Sequence, residues 1–205
     1  MQEKRAVVMV ARCNPPTIGH YKVIDQMKKF IRVHPELNLE AMPVVVIVDG
    51  EKSGQDKTRN PLSGEDRIKF MKASGNANGV KFLLAKTGYE AFEQVRKAGL
   101  EPIVIAAGSD RADDYKKLLD KYFKTKTGRD IEHLKLKVDR EEEDDVKSTL
   151  NRIDQEVDAT KVSGTLARLA VENGYEDVFA KIVGMENNPD LARKMFNKIK
   201  KAMSQ

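Results

Sequence analysis

Tryptophan is absent from this 205-residue chain, and all aromatics together make up 6% of it. No arginine-rich run occurs, and no stretch interleaves aromatic with basic residues, so the marks of a nucleic-acid surface are missing. Cysteine occurs once, as Cys13. That excludes an internal disulfide and any cysteine-based zinc cluster, and it agrees with a reducing compartment. Long apolar stretches are missing too. The run behind Met1-Gln2-Glu3-Lys4-Arg5 extends only from Ala6 to Ala11, too short for a signal peptide or a membrane span. The expected location is cytoplasmic, and a membrane is not an expected partner.

What remains is an ordinary globular composition with a basic balance. The chain is 40% hydrophobic and 34% charged, with a formal charge of +5 and a pI near 9.1. That balance suits an anionic ligand such as a nucleotide. The length fits one domain with an adequate core. Short β-branched runs occur at residues 6–11, 43–49, 80–85, 102–107 and 133–138. Their apolarity is continuous rather than alternating, which predicts strands buried on both faces of a parallel sheet. Helical patterns at about 18–32, 63–74, 88–98 and 111–123 alternate with them. The expected fold is α/β, a Rossmann-like parallel five-stranded sheet flanked by helices. Residues 1–168 are assigned to that domain. Residues 169–205 form a C-terminal helical cap on it, with apolar faces at Phe179, Ile182 and Val183 and at Leu191, Met195 and Ile199. The break between the last helices falls at Asn187-Asn188-Pro189-Asp190.

The chemistry concentrates where the first strand runs out. Pro15 and Pro16 stop the strand, and Thr17 is a good residue to begin a helix. Gly19 and His20 then fall in the first turn, where main-chain N–H groups are unpaired and the dipole is positive, an arrangement that suits phosphate. Gly19 leaves room for the anion, and His20 adds a donor. Residues 50–62 read as a polar surface loop; Gly50, Lys52, Ser53 and Gly54 do not have P-loop spacing, while Lys52, Lys57 or Arg59 of a flap would reach phosphates. Ser63 starts the next helix, with Asp66 at the capping-box position. Clustered carboxylates at Glu141–Asp145 read as an exposed run rather than a metal site. Val162-Ser163-Gly164-Thr165-Leu166-Ala167-Arg168 offers a second capped helix start, with Arg168 one turn in.

Taken together, these stretches resemble the nucleotidyltransferase superfamily. Thr17-Ile18-Gly19-His20 is similar to its (H/T)xGH signature, and Ser163-Gly164-Thr165-Leu166-Ala167-Arg168 to its SxTxxR signature. Asn60-Pro61-Leu62-Ser63 through Arg67 resembles a segment found after the second strand, and Gly108-Ser109-Asp110 resembles a GxD element. The resemblance implies transfer of AMP from ATP to a phosphorylated small-molecule acceptor, with pyrophosphate released. The catalytic group it implies is Thr17, His20 and Arg168, with Thr17 bonding a phosphate. The nucleotide would meet Ala11, Arg12, Asn14, Gly19, His20, Ser163, Thr165 and Arg168. The acceptor would meet Arg67, Gly108 and Asp110, with Arg67 either orienting it or forming a surface salt bridge. Mg2+ would be bound mainly through the nucleotide's phosphates, with no dedicated protein metal site. A homo-oligomer is compatible with the reading.

Two departures from the superfamily pattern stand out. Ala11 and Cys13 occupy places where a glycine and an aromatic are common, and Cys13 reads as a plain buried thiol. No Arg-Thr-x-Gly element precedes Ser163, which favours ATP over CTP. The combined elements look most like nicotinamide-mononucleotide adenylyltransferases. Those often stack the acceptor on tryptophan, so Tyr89, Phe92 or Tyr122 would have to serve instead. The alternatives are a cytidylyltransferase acting on a polyol or amino-alcohol phosphate, and a nucleotide-binding protein without turnover.

Overall fold

A computed structural model of the chain describes residues 4–35, 41–108, 132–136 and 161–205, with 114, 117 and 159 as isolated positions. Its strands are β1 (Lys4–Ala11), β2 (Ala41–Val48), β3 (Lys81–Ala85), β4 (Leu100–Gly108) and β5 (Glu132–Leu136). Its helices are α1 (Ile18–Val33), α2 (Glu51–Gln55), α3 (Gly64–Ala73) and α4 (Gly88–Lys97), then α5 (Gly164–Glu172), α6 (Glu176–Ile182) and α7 (Pro189–Met203).

The sheet is parallel, in the order β3-β2-β1-β4-β5. Five consecutive residues are buried in β1 and five in β2, as strands covered on both faces require. Growth of the sheet reverses direction between β1 and β4, so the carboxyl end of β1 lies at the topological switch point. The chain leaves that end at Ala11 and turns into α1. Of the helix expected at 111–123 only positions 114 and 117 are described, and both are helical; the acidic run Glu141–Asp145 lies outside the described residues.

The chain divides into two compact units that interleave along the sequence. One comprises 1–11, 23–50 and 79–138; the other comprises 12–22, 51–78 and 139–205. Helix α5 groups with α6 and α7 in the second unit. In the first unit, Val8, Val10, Val44, Val46 and Ile105 of the sheet pack with Ala91, Phe92 and Val95 of α4. Thr87 caps α4 by accepting from the Glu90 N–H at 3.1 Å. In the second unit, Leu62 and Phe70 pack with Leu166, Phe179, Ile182, Met195, Phe196 and Ile199. Phe179 and Phe196 meet edge to face, with centroids 5.5 Å apart. The apolar faces expected in the tail form this core. Residues 51–55, read from sequence as loop, make the short helix α2.

Candidate functional site

The turn from Arg12 to Thr17 lies in the second unit, and three long-range attachments within that unit hold it. Asn14, 6% exposed, uses its whole amide on Leu62. Its Nδ2 donates to the Leu62 carbonyl at 2.9 Å, and its Oδ1 accepts from the Leu62 N–H at 3.1 Å. Arg67 Nη1 donates to the Arg12 carbonyl at 2.6 Å, and its Nε donates to the Ser63 carbonyl at 3.0 Å. Arg168 Nη1 donates to the Asn14 carbonyl at 2.7 Å, and its Nη2 to Thr165 Oγ1 at 3.1 Å. Cys13 takes a positive φ of 50° between these anchors, a conformation that L-residues adopt rarely.

Each of the two contributing helices is set up by local chemistry. Ser63 caps α3 by accepting from the Asp66 N–H at 3.2 Å, while its hydroxyl donates to the Asp66 carboxylate at 3.0 Å. Asp66 is held below its ordinary value. Burial, the largest single influence, raises it, but hydrogen bonds from Lys198 and Ser63 outweigh that. Ser163 caps α5 by accepting from the Leu166 N–H at 3.1 Å. Gly164 lets the turn come close: a Cβ there would lie 3.0 Å from the Asn14 carbonyl oxygen and 3.2 Å from Arg168 Nη1. In the sequence, a glycine between two helix-starting hydroxyl residues, Ser163 and Thr165, is the signal for this close approach.

His20 is half-buried in the first turn of α1. Its Nδ1 accepts from the Thr17 N–H at 3.0 Å and lies 2.9 Å from the Thr17 hydroxyl. His20 and Arg168, 148 positions apart in sequence by subtraction of their numbers, thus both bond the Asn14–Thr17 turn. Burial pushes the Arg168 guanidinium below its ordinary value, with Glu172 and Asp56 opposing and Arg59 reinforcing. An arginine shifted in this way remains cationic at neutral pH. Arg59 is largely exposed and pairs loosely with Asp56 at 3.8 Å.

Several expected contacts take a different form. Thr17 is 1% exposed and faces His20, rather than lying open for a phosphate. The Asn14 side chain is spent on Leu62, so only its main chain is turned to Arg168. Gly19 is required by protein packing, because a Cβ there would lie 2.9 Å from the Ala159 carbonyl oxygen. Arg67 is 1% exposed, which corrects the surface salt bridge and leaves it as an internal support of the turn. Arg12 is exposed, and its carbonyl is the part that Arg67 holds. Ala11 and Gly108 end β1 and β4 in the first unit. Phe92 is fully buried in that unit's core and has no face for a ligand; Tyr89 is exposed. Asp110 and Tyr122 lie outside the described residues. Among the described residues, no group of three His, Cys, Asp or Glu is placed to hold a metal ion.

Burial pushes the Cys13 thiol from 9.0 up to about 12, with Arg67 pulling the other way. A thiol that stays protonated in the fold but ionises in the unfolded chain contributes stability below pH 9.0 and loses it towards pH 12. Tyr21 is raised for the same principal reason. Melting temperatures of wild type and Cys13→Ala, taken from pH 8 upward to about 11 across that window, are expected to converge as pH rises. A constant difference would contradict the buried thiol.

No protein-family model and no curated protein matches the chain. Among solved structures it is similar to the crystal structure of a macrolide-efflux protein from Streptococcus pneumoniae, with a TM-score of 0.53 and 18% identity. The match covers 90% of this chain and 56% of that one. The likeness is one of fold, and the chain spans little more than half of that protein's length. Among the described residues, no helix is long and apolar enough to cross a membrane.

Proposed function

We propose that the chain is a nucleotidyltransferase that moves AMP from ATP to a phosphorylated small-molecule acceptor resembling nicotinamide mononucleotide. One observation carries the reading: Arg168 donates to the carbonyl of Asn14, in the same turn whose Thr17 holds His20. Two helix starts remote in sequence are thereby joined, and each brings a donor side chain suited to phosphate.

The chemistry needs placement more than covalent help. An acceptor phosphate oxygen attacks the α-phosphorus, the bond to the bridging oxygen breaks, and pyrophosphate leaves with that electron pair. Negative charge grows on the equatorial and leaving oxygens. His20 donates to an α-phosphate oxygen, and the Arg168 fork, together with the N–H groups at the start of α5, holds the β- and γ-phosphates. Ser163 and Thr165 set the geometry of that helix start. The acceptor is already a phosphate, so no general base is required. The donors around this turn are N–H groups, which suit phosphate oxygens; magnesium would therefore arrive on the triphosphate and neutralise part of its charge.

The test is pyrophosphate release, measured with each nucleoside triphosphate, magnesium and a panel of phosphorylated acceptors. Turnover confined to ATP is the expected result. Turnover confined to CTP would replace the reading with a cytidylyltransferase. Tight nucleotide binding with no release under any combination would leave a binding protein.

A further inference from the structure

Asparagine followed by glycine occurs twice in the chain, at Asn78-Gly79 and Asn173-Gly174. Such a pair is chemically labile. The asparagine side-chain carbonyl carbon is a single ring closure away from the next main-chain nitrogen, and glycine has no Cβ to obstruct the approach. Asn14, Asn60 and Asn188 precede proline, whose nitrogen carries no proton and cannot attack. In exposure and backbone the two Asn-Gly pairs are alike. All four residues are exposed. Gly79 has a φ of 74° and Gly174 one of 76°, and a Cβ on either would meet nothing within 4 Å.

Hydrogen bonding separates them. At the end of α5, Asn173 Nδ2 donates to the Leu169 carbonyl at 2.8 Å, and the Gly174 N–H donates to the Val171 carbonyl at 3.2 Å. The leaving group and the attacking nitrogen are both held there. In the turn after α3, neither the Asn78 side chain nor the Gly79 N–H has a hydrogen-bond partner among the described residues. The neighbouring Asn76 is tied down, its Nδ2 donating to the Gly184 carbonyl at 2.8 Å.

We propose that Asn78 is a site of spontaneous deamidation and that the fold spares Asn173. Hydroxide removes the Gly79 N–H proton, and the nitrogen attacks Asn78 Cγ. The bond from Cγ to Nδ2 breaks, and Nδ2 leaves as ammonia after taking a proton from water. Water then opens the resulting succinimide at either carbonyl, which leaves aspartate or isoaspartate. A carboxylate is gained, and no oxidant or cofactor is consumed. Isoaspartate also lengthens the main chain by a carbon ahead of β3. The inference goes beyond the proposed nucleotidyl transfer and does not depend on it.

The test is peptide mapping by tandem mass spectrometry of the full chain, aged at mildly alkaline pH in buffer and, in parallel, in urea. In buffer, Asn78 is expected to convert to a mixture of aspartate and isoaspartate. Asn173 must first break two hydrogen bonds and should convert at least about tenfold more slowly. In urea the two sites should convert at similar rates. Asn78→Gln, at an exposed position, lengthens the side chain past the favoured ring. It should remove the change from the peptide that also carries Asn76. Comparable conversion of Asn78 and Asn173 in buffer would overturn the proposal, as would an Asn78 that stays intact in buffer while reacting in urea. A modified peptide that persists in Asn78→Gln would move the site to Asn76 and overturn it too. A rate gap that persists in urea would place the difference in the flanking sequence and refute protection by the fold.

Discussion

Replacing His20 with alanine is expected to slow pyrophosphate release by about 10²–10³-fold, the usual cost of deleting one aimed donor to a developing oxyanion. The fold should survive. The His20 N–H still reaches the Thr17 carbonyl, alanine favours helix, and the ring is only half-buried. Far-UV circular dichroism and melting temperature should therefore stay near wild type while turnover collapses. The loss should fall mainly on kcat, because the bond strengthens as charge builds rather than on binding. His20→Gln keeps an N–H at similar reach and should recover part of the rate. An alanine variant that turns over within a few-fold of wild type would remove His20 from the reaction.

Arg67→Met is expected to cost about 3 kcal/mol of stability, read as a shift in the urea midpoint at constant slope. The side chain is 1% exposed. Methionine matches much of its length and fills much of its volume, so what is lost is hydrogen bonding rather than packing. The Ser63 carbonyl keeps the Arg67 N–H as a partner at 3.1 Å, whereas the Arg12 carbonyl loses the Nη1 donor that holds it. A part-buried acceptor left without its charged donor is costly in this way. The turn that follows Arg12 carries Cys13 in a rare backbone conformation, so freeing its carbonyl should also loosen the turn and reduce turnover. A change under about 1 kcal/mol, no more than an ordinary hydrogen bond contributes, would mean that Arg67 is dispensable to the turn.

Local features of the chain could be read one residue at a time. The caps at Ser63, Thr87, Ser163 and Asn188 each accept from the N–H three positions on, a bond that depends only on neighbours in sequence. The runs that became β1 and β2 are apolar without alternation because both faces of each strand are covered. Burial at Phe179, Ile182 and Val183 followed from helical spacing for the same reason. The five-residue helix α2 escaped because Glu51-Lys52-Ser53-Gly54-Gln55 has no apolar face to betray a period. The role of Gly19 was half-legible: the need for a missing side chain showed, but the group it makes way for, the Ala159 carbonyl, did not.

Sequence alone thus determined the described strands and the helices other than α2, and the helix starts at Ser63 and Ser163, since propensity, period and capping act over three or four residues. It also pointed to Thr17–His20 and Ser163–Arg168 as the stretches rich in donors. Tertiary structure decided what those donors hold. Asn14 bonds Leu62 across 48 positions, Arg67 reaches Arg12 across 55, and Arg168 reaches Asn14 across 154. Nothing in a local pattern encodes a partner at that distance; it is set by how the chain crosses over between parallel strands. For that reason Thr17, Asn14 and Arg67, three polar residues that look like ligand contacts in the sequence, prove to be buried supports of the turn that carries His20.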